Sequence, residues 1–193
     1  GALQDNGLNI GSAPAGRKYT ISAGDGAVTL KVIQTPVYTW DVSDEADFQA
    51  GNGTWGENEY WSIDGTKLEP WPGEGHTARF AGSNGEWNVE VKGIQDVDSI
   101  VFLNSGYVLS DGGINFGSKG GVYLAKGISV TINSVISGTG GLKVSAEGGS
   151  LSRLFLQGSN NYSGPTIIGN DAEINVVEIA DGASNSSIGL SES

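Results

Sequence analysis

The chain has 193 residues, with 22 acidic and ten basic side chains, a net charge of −12, and neither cysteine nor methionine. This length is enough to bury a hydrophobic core. The acidic balance argues against nucleic acid and anionic membranes as partners, because both attract clustered Lys and Arg. Without cysteine, disulfides, thiolate metal sites and cysteine nucleophiles are excluded. No apolar run approaches the roughly 18 residues of a membrane helix, so we expect no membrane insertion by this chain.

Glycine dominates the composition and favours β structure. The chain has 32 glycines, a share well above the usual value of about 7%. No long stretch repeats apolar residues at helical spacing, whereas short apolar runs between turn residues are frequent. The sequence therefore predicts an all-β protein.

Residues 1–37 contain a predicted β-hairpin. Apolar and polar residues alternate over 18–22 and again over 27–32, and the Ala-Gly-Asp-Gly sequence between them is typical of a tight turn. Two strands are only marginally stable on their own. We therefore interpret residues 1–37 as the terminal strands of a preceding segment or as a cap.

Residues 38–92 form an acidic, tryptophan-rich segment. The stretch 38–98 holds 13 of the 22 acidic residues, only three of the ten basic ones, and all five tryptophans. Glycine and proline break it into short pieces, which indicates short strands joined by turns. We predict a tryptophan-rich β segment on the N-terminal side of the fold.

Over residues 93–193 the sequence predicts a β-solenoid. Glycine or short polar residues separate apolar strands at 100–103, 107–109, 114–116, 122–124, 128–132, 142–144, 154–156, 166–168 and 174–179. Three such strands per turn give a coil of roughly 20–25 residues. An antiparallel sandwich is the alternative all-β fold. The Gly-Gly and Gly-x-Gly turns favour the solenoid, because a sandwich would show paired hairpin turns.

Two stretches near the C-terminal end carry a family resemblance. Residues 136–143 are Ile-Ser-Gly-Thr-Gly-Gly-Leu-Lys, and residues 160–166 are Asn-Asn-Tyr-Ser-Gly-Pro-Thr. Together they resemble the autotransporter-associated β-strand repeat, also called the passenger-associated transport repeat. The tryptophan-rich residues 54–80 are similar to the opening segment of many such passengers, although His76 stands where that opening usually has aspartate.

The resemblance implies a right-handed parallel β-helix that is exported to the surface of a Gram-negative bacterium. In that setting the repeats support export and folding and display other segments, so the expected role is a structural scaffold with adhesion as a further role. The resemblance does not point to an enzyme. We expect a host or bacterial surface protein or glycan as the partner, and end-to-end self-association through the open edges of the last coil.

Three tryptophans, Trp55, Trp61 and Trp71, lie among glycines, prolines and acidic residues. Exposed indoles stack on sugar rings or anchor protein partners, which makes a carbohydrate-binding module the first alternative function. In the other interpretation these rings form a small core that closes the end of the β-helix.

Catalysis is the second alternative. A serine–histidine hydrolase needs a histidine base, and the single histidine, His76, lies in a predicted turn. Asp96 and Asp98 would share one side of a strand, as the paired carboxylates of a polysaccharide hydrolase or lyase do. A solvated strand edge gives the same pattern.

One cluster of oxygen ligands lies at Asp41, Asp44 and Asp47. Calcium takes six to eight oxygen ligands, so these carboxylates predict a weak calcium site. The cluster lacks the glycine and the distal glutamate of a helix-loop-helix calcium loop. A solvated turn is the alternative, and we expect no cofactor other than this calcium.

Overall fold

The structure, a computed structural model, describes residues 17–24, 27–34, 36–118, 120–180 and 184–190. These residues form strands, turns and loops, and none of them is helical. Accordingly, the described residues contain no helix long and apolar enough to cross a membrane. The chain divides into two compact units, one ending at Pro36 and the other starting at Val37.

The first unit is built on one antiparallel strand pair. Strand β1 (Arg17–Gly24) pairs with β2 (Ala27–Gln34) from Arg17 opposite Gln34 to Gly24 opposite Ala27. This pairing confirms the strands of the predicted hairpin. The turn residues 25 and 26 lie outside the described residues.

The second unit is a β-solenoid of three sheets, whose strands recur in the same order along the chain. The first sheet contains β3 (Val37–Trp40), β5 (Trp61–Ser62), β6 (Thr77–Phe80), β9 (Ser99–Phe102), β12 (Gly121–Leu124), β15 (Leu142–Ala146) and β17 (Thr166–Ile168). The second contains β4 (Gly53–Trp55), β7 (Trp87–Val91), β10 (Tyr107–Ser110), β13 (Ser129–Ile132), β16 (Ser152–Leu156) and β18 (Ala172–Val176). The third contains β8 (Ile94–Asp96), β11 (Gly113–Asn115) and β14 (Val135–Ser137).

All neighbouring strands in these three sheets are parallel except β3 and β5. In the first sheet Thr77 pairs with Ser99, and Gly121 pairs with Lys143, so each coil advances by 22 residues. This value lies within the predicted coil length. The nine strands predicted after residue 93 are all present, and the all-β solenoid is confirmed. Strands β8 and β14 escaped prediction because they are only three residues long.

The core of the solenoid follows from alternation along each strand. In β9, β12 and β13 every second side chain is buried, and the residues between them face outward. Phe80 and Phe102, which are register partners on adjacent coils, stack with centroids 5.1 Å apart. One coil exposes such side chains to its neighbours, so the coils are stable only when stacked.

The first turn of the solenoid is longer than the others. Val37 pairs with Thr77 across 40 residues, compared with the 22 residues of the later coils. The additional residues lie in two excursions, at 41–52 before β4 and at 56–76 after it, and the second carries β5. The acidic segment therefore supplies strands β3, β4, β6 and β7 of the same sheets that continue beyond residue 93.

A polar anchor joins the last coils. The buried Asn160 side chain accepts a hydrogen bond from the Ile136 backbone N–H at 2.7 Å and donates to the Ser187 carbonyl at 2.8 Å. The buried Tyr162 hydroxyl lies 2.7 Å from the Thr166 hydroxyl. These contacts connect residues 24 and 27 positions apart, so they fix the stacking of neighbouring coils.

Candidate functional site

The excursions bring four tryptophans together against the first coil. Trp40, Trp55 and Trp61 have no exposed surface. The ring centroids lie 5.3 Å apart for Trp40 and Trp61, and 4.9 Å apart for Trp55 and Trp61. Trp71 follows at 4.6 Å from Trp61, and Phe80 of the first coil lies 5.6 Å from Trp61. The result is an aromatic core built from flat rings at steep angles.

The predicted sugar-stacking role does not match the positions of Trp55 and Trp61. Stacking on a sugar requires an exposed ring face, and both side chains are fully buried. The physical reason is that β4 and β5 bring them inward over Phe80, where aromatic area gains more from burial than from solvent. Their Nε1 groups have no hydrogen-bond partner in the described structure.

Trp71 is half-buried at the edge of this aromatic core. Its Nε1 donates to the Asp96 carbonyl at 3.0 Å, and its ring meets Tyr38 edge-on at 6.1 Å. Of the three indoles predicted to bind a ligand, only Trp71 keeps accessible surface. A ligand role for Trp71 stays a prediction.

The predicted calcium ligands do not come together. Asp41 is fully buried, and its Oδ1 accepts the Gln49 N–H at 3.0 Å and the Ser43 N–H at 3.4 Å. Asp44 and Asp47 are exposed on the turn that this carboxylate closes. Among the described residues no three His, Asp or Glu side chains are grouped closely enough to hold a metal ion.

Asp41 is instead a buried turn-closing group. Burial raises its pKa, and the two backbone N–H donors oppose that shift only in part. Its Oδ2 is buried without a hydrogen-bond partner. Burial, with a smaller contribution from the Asp41 charge, also raises the pKa of Tyr107, whose hydroxyl donates to the Ala81 carbonyl.

The candidate catalytic residues serve separate structural hydrogen bonds. Asp96 Oδ1 accepts the Asn115 side-chain amide at 2.7 Å, which ties β8 to β11. Asp98 Oδ1 accepts the Gly75 N–H at 3.1 Å, which holds the end of the second excursion. His76 Nδ1 lies 3.2 Å from the Gly73 carbonyl, within its own turn. Each of these side chains therefore supports local backbone.

Sequence reasoning missed a groove on the outward face of the second sheet. Two cavities of about 500 and 360 Å³ adjoin there, and both are lined by Asn88. The larger is lined by Asn52, Glu86, Trp87, Asn88, Gly106 and Val108. The smaller is lined by Gly53, Thr54, Asn88, Glu90, Ser110 and Asp111. The alternation of outward polar residues at 86, 88 and 90 was the available signal.

One known protein shows similarity to this chain. The chain is 30% identical over 135 residues to an adhesin, the BmaC autotransporter of Brucella suis biovar 1 (strain 1330), and the match covers 67% of this chain. That similarity and the solenoid fold fit an autotransporter passenger. The chain spans only 4% of the length of the adhesin. No protein-family profile and no solved structure matches the sequence.

Proposed function

We propose that this chain is a rigid, non-enzymatic scaffold segment of a surface-exposed autotransporter passenger, and that it contributes to adhesion. The observation that carries the proposal is the unbroken pair of parallel ladders from β3 to β17 and from β4 to β18. Parallel strands are about 4.8 Å apart. The ladders therefore form a stiff column whose outward side chains lie in regular rows, a geometry suited to display.

The finer assignment to the passenger-associated repeat rests on what its residues do. Asn160 bridges two coils, Tyr162 closes the core, and Thr166 receives the tyrosine hydroxyl. Gly164 has a positive φ of 95° and lies against the Gly141 backbone, where a side chain would be strained. These requirements explain the Asn-x-Tyr-x-Gly-x-Thr pattern, and they support its use as a coil-joining repeat.

The proposed location is the outer surface of a Gram-negative bacterium, and the proposed partner is a protein or glycan on a host or bacterial surface. The similarity to an adhesin of the autotransporter type supports both. The −12 charge supports a partner other than nucleic acid. The separate structural hydrogen bonds of Asp96 and Asp98 support a binding role over glycan cleavage.

The proposal is tested by coating beads with the purified chain and measuring their attachment to epithelial cells and to Gram-negative cells. We expect attachment above that of albumin-coated beads of equal surface charge. Beads coated with heat-unfolded chain serve as the matched control. Attachment equal to albumin from a chain with the circular dichroism of β structure contradicts an adhesive role for this segment.

A further inference from the structure

We propose that the groove across β4, β7 and β10 binds an oligosaccharide whose sugars carry free, protonated amines. This inference rests on the proposed surface role and names a ligand class for it. It concerns a different face of the molecule from the aromatic core, because the groove lies on the outward side of the second sheet.

The groove has a regular floor. Thr54, Glu90 and Ser110 are register partners on three adjacent strands, so their side chains form one polar row. Asn88 and Val108 form the next row, two residues away along the strands. Two residues of strand span about 7 Å. This spacing presents donors and acceptors on both sides of a bound sugar ring.

The groove wall is held in place by the first excursion. Asn52 Oδ1 accepts the Asn88 backbone N–H at 2.7 Å, which fixes the loop against the start of β7. Trp40 Nε1 anchors the preceding residue by donating to the Gly51 carbonyl at 2.9 Å. The loop that forms this wall is therefore pinned from the core side, and the cavities beside it are preformed.

The lining carries uncompensated negative charge. Glu86, Glu90 and Asp111 line the two cavities, which have no Lys, Arg or His in their lining. In the described part of the chain, the ion pairs are Lys67–Glu69, Lys92–Glu57 and Arg153–Glu173, and none involves these three carboxylates. Their oxygens are free to accept charge-assisted hydrogen bonds from ammonium groups. Uronic and sialic acids are disfavoured for the same reason.

Trp87 distinguishes this groove from a plain acidic patch. The half-buried indole lines the larger cavity, and its Nε1 donates to the Ser83 carbonyl at 2.9 Å. The ring lies over Gly85 and leaves no room there for a Cβ atom. A fixed indole beside amide and carboxylate groups suits a ring with an apolar face and a cationic substituent. A basic peptide would use the charges but would not need the indole or the Asn88 amide.

The experiment is calorimetric titration of the whole chain with a glucosamine hexasaccharide. The comparison ligands are the N-acetylated hexasaccharide, an oligogalacturonate of equal length and hexalysine. Glu90→Gln and Asp111→Asn each remove one charge; the second keeps a residue that tolerates the positive φ of 59° at position 111. Asn88→Ala removes the shared amide. Glu147→Gln is the control, because it removes an exposed charge away from the groove.

We expect the glucosamine oligomer to bind at least about tenfold more tightly than its acetylated form, since only the former pairs its amines with the carboxylates. Glu90→Gln and Asp111→Asn each weaken binding by about threefold to fivefold. Asn88→Ala weakens sugar binding and leaves hexalysine binding unchanged. Glu147→Gln has no effect.

Three results overturn the inference. Equal binding of the acetylated oligomer removes the role of the amines. Hexalysine binding that is as tight as sugar binding, with no effect of Asn88→Ala, shows a nonspecific acidic surface. No binding of either glucosamine ligand removes the site, while the bead-attachment assay decides the adhesive role separately.

Discussion

The regular coils and the first, enlarged turn solve the same packing problem by different means. Between residues 77 and 156 the coils advance by a nearly constant register, and mostly aliphatic side chains fill the interior. The first turn fills a wider space with indoles. Of the four buried side-chain polar atoms without a partner in the described structure, three lie there: Asp41 Oδ2, Trp55 Nε1 and Trp61 Nε1. Only Ser134 Oγ belongs to the regular coils.

This contrast shows what a strict repeat provides. In the coils each backbone group meets its equivalent on the next strand, so satisfaction is automatic. The enlarged turn has no equivalent above it, and large aromatic rings cover the end of the core at the cost of unsatisfied donors. Aromatic burial offsets that cost, because each ring removes far more apolar area from water than a Val or Leu does. The predictions below separate the two regions.

The largest expected effect is at Trp61. Trp61→Ala removes a fully buried indole that contacts Trp40, Trp55 and Trp71. We expect a loss of about 3–5 kcal/mol in the free energy of unfolding, measured by urea denaturation. Ile94→Ala, at a residue 69% exposed, is the control and should change stability by less than about 0.5 kcal/mol. A loss below about 1 kcal/mol for Trp61→Ala means that the aromatic core is not part of the cooperative fold.

The next effect is at Asn160, in the regular coils. Asn160→Ala leaves the Ile136 N–H and the Ser187 carbonyl buried without partners. We expect a loss of about 2–3 kcal/mol, since each orphaned buried group costs roughly 1–3 kcal/mol. The adjacent Asn161→Ala, at an exposed residue, should be nearly neutral in the same urea experiment. Equal effects of the two changes contradict the bridging role.

A pH-dependent effect is expected at Asp41. Burial raises its pKa in the folded state, so the folded protein binds a proton more tightly than the unfolded chain does. The contribution of this group is therefore present below its unfolded pKa of about 3.9 and is lost as pH rises through the folded value. Asp41→Asn should gain stability relative to the native chain between pH 4 and neutrality, followed by thermal melting. A constant difference across that range contradicts the assignment.

The smallest effect concerns self-association. Strands β17 and β18 end their sheets, and Ile167, Ile168, Val177 and Ile179 are about half exposed or more at that end. We expect weak, concentration-dependent association in sedimentation, reduced by Ile168→Lys. Ile63→Lys changes an equally exposed isoleucine elsewhere and should leave association unchanged. A strict monomer at high concentration contradicts the prediction.

The regular coils were predictable because their signal is local. Each apolar strand is bounded by glycine or polar turn residues, and every strand predicted after residue 93 is present. The Asn160 and Tyr162 positions were also visible as a motif. The register that gives these residues their partners 24 and 27 positions away was not visible from local pattern alone.

The enlarged turn was less predictable because its contacts are not periodic. Trp55 and Trp61 stand among glycines and acids, a setting that is equally typical of exposed rings. Their burial depends on how β4 and β5 return to the first coil. Asp41 likewise belongs to an acidic run in sequence, yet it alone points inward. The groove depends on three strands brought together over residues 53–111, which no local pattern reveals.

The most direct test of the account is a disulfide between Thr54 and Glu90, which joins the enlarged turn to the first regular coil. The chain has no native cysteine, and these outward residues are register partners on parallel strands. Adjacent strands place them about 5 Å apart, within disulfide reach. We predict that the variant with cysteine at 54 and 90 oxidises rapidly under native conditions, whereas the pair at 54 and 110, two strands apart, stays reduced. Failure of the first pair to oxidise, or equal oxidation of both, would show that the tryptophan-rich segment is not stacked on the solenoid.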